Sequence, residues 1–135
     1  MHASPPADNP ASSPRQPAVL FVESDVMLRQ AAAHSLREAG FEVVEAATAR
    51  EALEVVQSSK PIDVLLTELY DGGGLDGATL TAQARAVRPD IKIVVASGQA
   101  PDWPFRRTLD AFIGKPYDSH RVAIRIRALL TGEDE

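Results

Sequence analysis

Short apolar runs alternate along the chain with segments whose apolar residues recur every three or four positions. "AVLFV" (18–22), "FEVVEA" (41–46), "IDVLLT" (62–67), "IKIVVA" (91–96) and "AFIG" (111–114) are rich in β-branched residues and phenylalanine, and each predicts a strand. Between the first two, Leu28, Ala32, Leu36 and Ala39 mark the inner face of a helix that Gly40 ends. "TARE" opens the next helix as a capping box of Thr48 and Glu51, with Leu53 and Val56 turned inward. A third helix carries Leu80, Ala84 and Val87 and stops before Pro89, and the last places Val122, Ile126 and Leu129 on one face. The fourth connection, "SGQAPDWPFRRTLD", holds Pro101 and Pro104, each of which removes a backbone donor. Only a short helix over about Phe105 to Leu109 is expected there.

Strand–helix alternation with nearly continuous apolar strands predicts an α/β fold. Its core is a doubly wound, five-stranded parallel sheet in the order 2-1-3-4-5, covered on both faces by right-handed crossovers. In such sheets function gathers at the carboxyl ends of the strands. The first strand ends in Glu23-Ser24-Asp25, the third in Glu68, the fourth in Ser97-Gly98 and the fifth in Lys115-Pro116. These residues converge on one pocket. Carboxylates, a hydroxyl and an ammonium together suit a hard, oxygen-ligated cation and a phosphoryl group. Ser24 and Asp25 also read as N-caps of the first helix, and Asp76 before Gly77 as a turn and cap of the third. Asp71 is a spare acid on a loop. His34 and His120 lie on helices as surface residues, without partners at metal-ligand spacing. Trp103, between prolines, packs the irregular segment or meets a partner.

Composition narrows the picture. The chain has 135 residues, which is one domain's worth, and a net charge of −5. The segment 1–17 holds half of the ten prolines and is read as a disordered leader, residues 18–131 as the folded unit and 132–135 as an acidic tail. Cysteine is absent, so there is no disulfide framework, thiolate nucleophile or cysteine metal site. No apolar run approaches the ~18 residues of a membrane span, and "MHASPPADNPASSPRQP" has no signal-peptide pattern. A cytoplasmic location is expected. Arg106, Arg107, Arg121, Arg125 and Arg127 form only a modest basic stretch, read as a solvated face; a nucleic-acid partner is not expected.

Four motifs in order, "VLFVESD", "DVLLTEL…GLDG", "VVASG" and "FIGKPYD", resemble the receiver domain of two-component response regulators over roughly residues 18–130. The resemblance is to single-domain regulators of the chemotaxis type. It implies a flavodoxin-like receiver fold, here with a shortened fourth helix, and a signalling module without an output domain of its own. A receiver is not an enzyme; its partner is a histidine kinase or another signalling protein. Residue by residue, Glu23 matches the first acid of the Mg²⁺ pair, and Ser24 the second, usually aspartate. Glu68 falls on the phosphoacceptor aspartate, and Tyr70 would offer its backbone carbonyl to the metal. Ser97 matches the hydroxyl that follows the phosphoryl group, Phe112 the aromatic switch position and Lys115 the lysine that pairs with the acceptor. Pro116 follows it, through a bond commonly cis in the family.

Two departures bear on the chemistry. Glutamate in place of aspartate moves the carboxylate by about 1.5 Å, one C–C bond, and misplacement on that scale costs on the order of 100-fold. The missing acid at Ser24 weakens Mg²⁺ binding in the same direction. The expected protein is therefore a pseudo-receiver acting by protein contact, with Mg²⁺ weakly held or absent. The alternative is a Mg²⁺-dependent receiver that accepts phosphate on Glu68 or is rescued by Asp71. From a different class, a flavodoxin-like cofactor protein needs a phosphate-cradling loop after the first strand, and the two acids of "ESDVML" would repel a phosphate there.

Overall fold

The structure, a computed structural model, describes residues 15–69 and 75–132, with Trp103 described by its backbone alone. The expectations for residues 1–14, the Tyr70 carbonyl, Asp71, residues 133–135 and the Trp103 side chain lie outside the described residues.

Strands β1 (Ala18–Val22), β2 (Glu42–Ala46), β3 (Val64–Thr67), β4 (Lys92–Ser97) and β5 (Ala111–Gly114) pair in parallel in the order β2-β1-β3-β4-β5. Helices α1 (Val26–Glu38), α2 (Ala49–Val56), α3 (Gly77–Val87), α4 (Trp103–Arg106) and α5 (Ser119–Thr131) make the connections. The period of two along each strand builds two cores. Val19, Phe21, Val64, Leu66, Val94 and Ala96 face α1 and α5, packing on Leu36, Val122 and Ile126. Leu20, Val22, Leu65 and Ile93 face α2 and α3, packing on Ala52, Val56, Leu80 and Ala84.

Local chemistry ends the elements where the sequence indicates. Gly40, at φ 100°, turns the chain out of α1. Thr48 accepts the Glu51 N–H at 3.1 Å, and the Glu51 carboxylate reaches back to the Ala47 N–H at 2.8 Å, a capping box displaced by one residue. Asp76 caps α3 by accepting the Thr79 N–H at 2.8 Å. For α1 the cap is Asp25, which accepts from Met27 and Leu28, and not Ser24.

Three expectations are corrected. Leu28 and Val87, read as inward, are 54% and 51% exposed. Each lies in a terminal turn, beyond the reach of the sheet, so Ala32, Ala33 and Leu36 form the buried face of α1 and Leu80, Thr81 and Ala84 that of α3. The short fourth helix begins at Trp103, two residues early, and includes Pro104. Proline is tolerated in a first turn, where its missing N–H has no intrahelical partner to lose. Residues 15–17, counted in the leader, are tied to the sheet. Arg15 holds the Asp63 carboxylate with two bonds at 2.9 and 3.2 Å, and the Pro17 carbonyl accepts the Glu42 N–H at 2.9 Å.

Gly77, the first residue of α3, is packed so closely that a Cβ would stand 2.6 Å from the Glu68 carbonyl oxygen and 2.9 Å from that of Leu69. Those neighbours are backbone and yield little. Gly77→Ala is expected to lose about 1–3 kcal/mol in urea unfolding, the scale of overpacking. Gly98→Ala, where a Cβ meets open space, is expected to stay within about 0.5 kcal/mol.

Candidate functional site

Sheet register builds the site. Val22 of β1 lies beside Thr67 of β3, so the next residues, Glu23 and Glu68, leave adjacent strands side by side. Ser97 of β4 lies beside Gly114 of β5, and Lys115 follows, its N–H held by the Ser97 carbonyl at 2.8 Å. Two carboxylates side by side repel, and Glu23 is only 2% exposed, so water screens the pair poorly.

The Lys115 ammonium answers that repulsion. Its Nζ lies 2.6 Å from Glu23 Oε1 and 3.4 Å from Glu68 Oε1. The remaining oxygens are taken by backbone donors: Glu23 Oε2 accepts the Asp25 N–H at 3.0 Å, and Glu68 Oε2 accepts the Ser24 N–H at 2.9 Å. Burial and the neighbouring Glu23 charge push the Glu68 carboxyl above its usual range, against the pull of Ser24's hydrogen bonds and of Lys115. Burial draws the Lys115 ammonium down, but Glu23 and Glu68 outweigh it and hold the group above its usual range. Two carboxylates and one ammonium leave the cluster one negative charge.

Among the described residues, this donor set offers a divalent cation two carboxylates and no third acid. All four carboxylate oxygens face an N–H or an ammonium, and the residue at position 24 is an exposed serine. Among the described residues no group of three or more His, Cys, Asp or Glu is placed to hold a metal ion.

Ser97 and Phe112 make side-chain contacts of their own. The Ser97 hydroxyl accepts the Gln99 N–H at 3.3 Å, and the half-buried Phe112 ring carries the Arg106 guanidinium 5.1 Å from its centre. The Lys115–Pro116 bond is cis.

Three features near the site are absent from the sequence reading. Tyr117 lies behind the lysine, its hydroxyl pushed up to about 12 by burial and then by the charges of Glu23 and Glu68. Together with Pro116, Leu28 and Ala32 it lines a crevice of about 140 Å³ beside Glu23 and Lys115. The "KPY" spacing is a signal for it: one residue beyond a strand-end lysine and proline. Arg29 donates to the Glu23 carbonyl at 2.8 Å and to Glu45 at 3.3 Å, bracing the loop that carries the first acid. At the start of α1, Val26, Met27 and Leu28 are exposed by 50%, 76% and 54%, a run of apolar residues of which helical periodicity assigns only Leu28 to the core.

Comparison with known proteins agrees with the fold and the motifs. Residues 19–127 match the family model of the response regulator receiver domain. The sensor kinase CckA of Brucella abortus is 32% identical over 86% of this chain, which spans 13% of that kinase. The transcriptional regulatory protein CseB of Streptomyces avermitilis is 30% identical over 83% of the chain, which spans 48% of it. Among solved structures, the receiver domain of the hybrid histidine kinase CckA is 33% identical and superposes with a TM-score of 0.71, covering 84% of this chain and 98% of its own. A CheY-like receiver domain protein from Methanospirillum hungatei shares the fold at a TM-score of 0.80 and 24% identity, covering 87% and 96%. With its sheet order, its strand-end residues and a family match across nearly all of the described residues, this chain belongs to the response regulator receiver domain family.

Proposed function

We propose that this receiver is a pseudo-receiver: a signalling module that works by contact with a histidine kinase or another signalling protein, its phosphoryl-transfer chemistry silenced. The observation that carries this reading is the Lys115 ammonium between Glu23 and Glu68, with Glu68's other oxygen on the Ser24 N–H. An acceptor carboxylate must present an unencumbered oxygen in line with the phosphorus, while a cation gathers the charge that develops. Glu68 has neither. Both its oxygens face donors, and its proton is held more tightly than an ordinary carboxyl's.

Receivers generally bind Mg²⁺, and the regulator TrrA of Thermotoga maritima was solved with Mg²⁺ and beryllofluoride. In this chain Lys115 stands in for the metal's charge, while Ser24 lacks the carboxylate that would compete for one. Glu68, Lys115 and Ser97 keep the acceptor, lysine and hydroxyl positions of a receiver without performing its transfer, Phe112 keeps the switch position, and Glu23 and Ser24 those of the metal pair. The exposed Val26, Met27 and Leu28 give a contact partner an apolar footing beside the pocket. No described helix is long and apolar enough to cross a membrane, in keeping with a cytoplasmic role.

Two experiments test this reading. In a backbone amide NMR titration with Mg²⁺ and then beryllofluoride, wild-type signals at Glu23, Glu68, Ser97 and Lys115 are expected to stay unmoved, and the Ser24→Asp, Glu68→Asp double variant to respond. Saturable shifts in the wild type would instead mean a working Mg²⁺-dependent receiver. The second experiment concerns the charge cluster. Carboxyl-carbon NMR is expected to place Glu68 above its ordinary 4.5, and Lys115→Met to raise it further by removing the neighbouring cation. Because Lys115 is raised in the folded state, its pairing stabilises fully below about 10.5 and is lost as pH climbs past the folded value. The alkaline loss of stability is therefore expected to shrink in Lys115→Met. A Glu68 midpoint indifferent to that substitution would remove the basis of the reading.

A further inference from the structure

Strand β2 is an edge of the sheet, paired only with β1. The Glu42 N–H donates to the Pro17 carbonyl at 2.9 Å, and the Ala46 carbonyl accepts the Glu23 N–H at 3.0 Å. Glu42, Val44 and Ala46 thus turn their backbone groups to β1, and by the alternation of a parallel ladder Val43 and Glu45 turn theirs outward. An outward row of donors and acceptors on "FEVVEA", a segment without glycine or proline, is a template for another strand.

One side chain stands over that template. Arg37, in the last turn of α1, donates from Nη2 to the Val43 carbonyl at 3.0 Å, and its Nη1 lies 3.0 Å from Glu45 Oε2. Arg29, eight residues earlier on the same helix, holds Glu45 Oε1 at 3.3 Å. The two arginines keep the Glu45 side chain in place, and Glu45 in turn keeps Arg37 over the edge. Neither arginine closes a helix end here: the α1 C-terminal carbonyls are met by the Ala39 N–H and by Arg127, which donates to the Ala39 carbonyl at 2.7 Å.

We propose that the outer edge of β2 is a strand-pairing surface kept closed by Arg37, and that its occupant, once Arg37 is withdrawn, is β2 of a second copy of this chain. The segment is self-complementary in an antiparallel register. Centred on Val44, it sets Val43 of each copy opposite Glu45 of the other and Glu42 opposite Ala46, so no two acids face each other. That register needs the Val43 carbonyl of both copies, the atom that Arg37 occupies. Arg37 therefore does for this edge what covering loops do for others: it satisfies an outward carbonyl and sets a charge beside it.

The test is analytical ultracentrifugation with amide hydrogen exchange on the wild type, Arg37→Ala and Arg37→Gln. Arg37→Ala is expected to self-associate roughly tenfold more tightly than the wild type, the size of one charge-assisted bond, with the Val43 and Glu45 amides slowed in the associated form. Because the chain has no cysteine, Val44→Cys in the same background is expected to give a disulfide-linked dimer across the two-fold axis. Association no tighter than wild type overturns the proposal, and so does association that leaves the Val43 and Glu45 amides as fast as in the monomer. Should Arg37→Ala fail to fold, the same two readings on Arg37→Gln, a polar residue too short to reach the carbonyl, decide it.

Discussion

Strand register sets two carboxylates beside each other at the end of a buried sheet, and the rest of the site follows from that constraint. Glu23 and Glu68 leave β1 and β3 at the same level, where little water reaches to screen them. A buried like-charge pair is tolerated only with a cation and enough hydrogen bonds to satisfy each oxygen. Lys115 supplies the cation from beyond β5, and the peptide groups of Ser24 and Asp25 supply the bonds. Even the bracing is drawn in, since Arg29 holds the carbonyl of Glu23 and so the peptide from which the first acid projects. Remove the lysine and the two acids lose the charge that permits both to ionise.

What the sequence made legible were the features set by local rules. The five strands announce themselves by composition, and a parallel sheet of alternating strands and helices leaves one end at which Glu23, Glu68, Ser97 and Lys115 can gather. The Asp76 cap and the Gly40 stop are equally local. Where reading failed, the deciding contacts are long-range. Nothing in "ESDVML" says that Asp25 rather than Ser24 caps α1, nor that Glu68, far along the chain, holds the Ser24 N–H. Leu28 and Val87 obey helical periodicity and still face solvent, because periodicity gives direction and not how far the sheet extends. Gly77 reads as a turn glycine, and only the packed structure shows the Glu68 and Leu69 carbonyls against it. Arg29 and Arg37 carry no signal of their own in the sequence, and only the folded β2 brings Glu45 beneath both.

The fourth connection shows how a shortened element is held without a full helix to pack. Of the described α4 side chains, Pro104 and Arg106 are exposed and Phe105 is half-buried, and the segment between β4 and β5 is fastened at its far end by polar contacts. Asp110 accepts the Ile93 N–H at 2.7 Å and pairs with Arg85 of α3 at 3.2 Å, and Arg85 also reaches the Thr108 carbonyl at 3.0 Å. Hydrogen bonds carry what apolar area carries elsewhere in the fold. Beside β5, an open groove of about 890 Å³ runs from Phe112 to Ala128 of α5. This groove lies along β5, the edge of the sheet opposite β2.

The two departures from the receiver pattern are not independent. Glu68 reaches the Ser24 N–H because its side chain has one more methylene than aspartate, and that reach brings its Oε2 to the loop after β1. An aspartate at position 24 would bring a third carboxylate to the same place, next to an oxygen already short of neutralising charge. Lys115, engaged by Glu23 at 2.6 Å, has only the longer 3.4 Å contact left for Glu68, so a third acid would need a further cation. Serine, which adds no charge and leaves its N–H in reach, is compatible with a glutamate at 68 in a pocket without metal. Aspartate at both positions suits a pocket with one. On the proposed reading, the pair Ser24 and Glu68 describes one physical choice, a site whose two acids share a single lysine, and the sheet register that brings Glu23 beside Glu68 is what makes that lysine necessary.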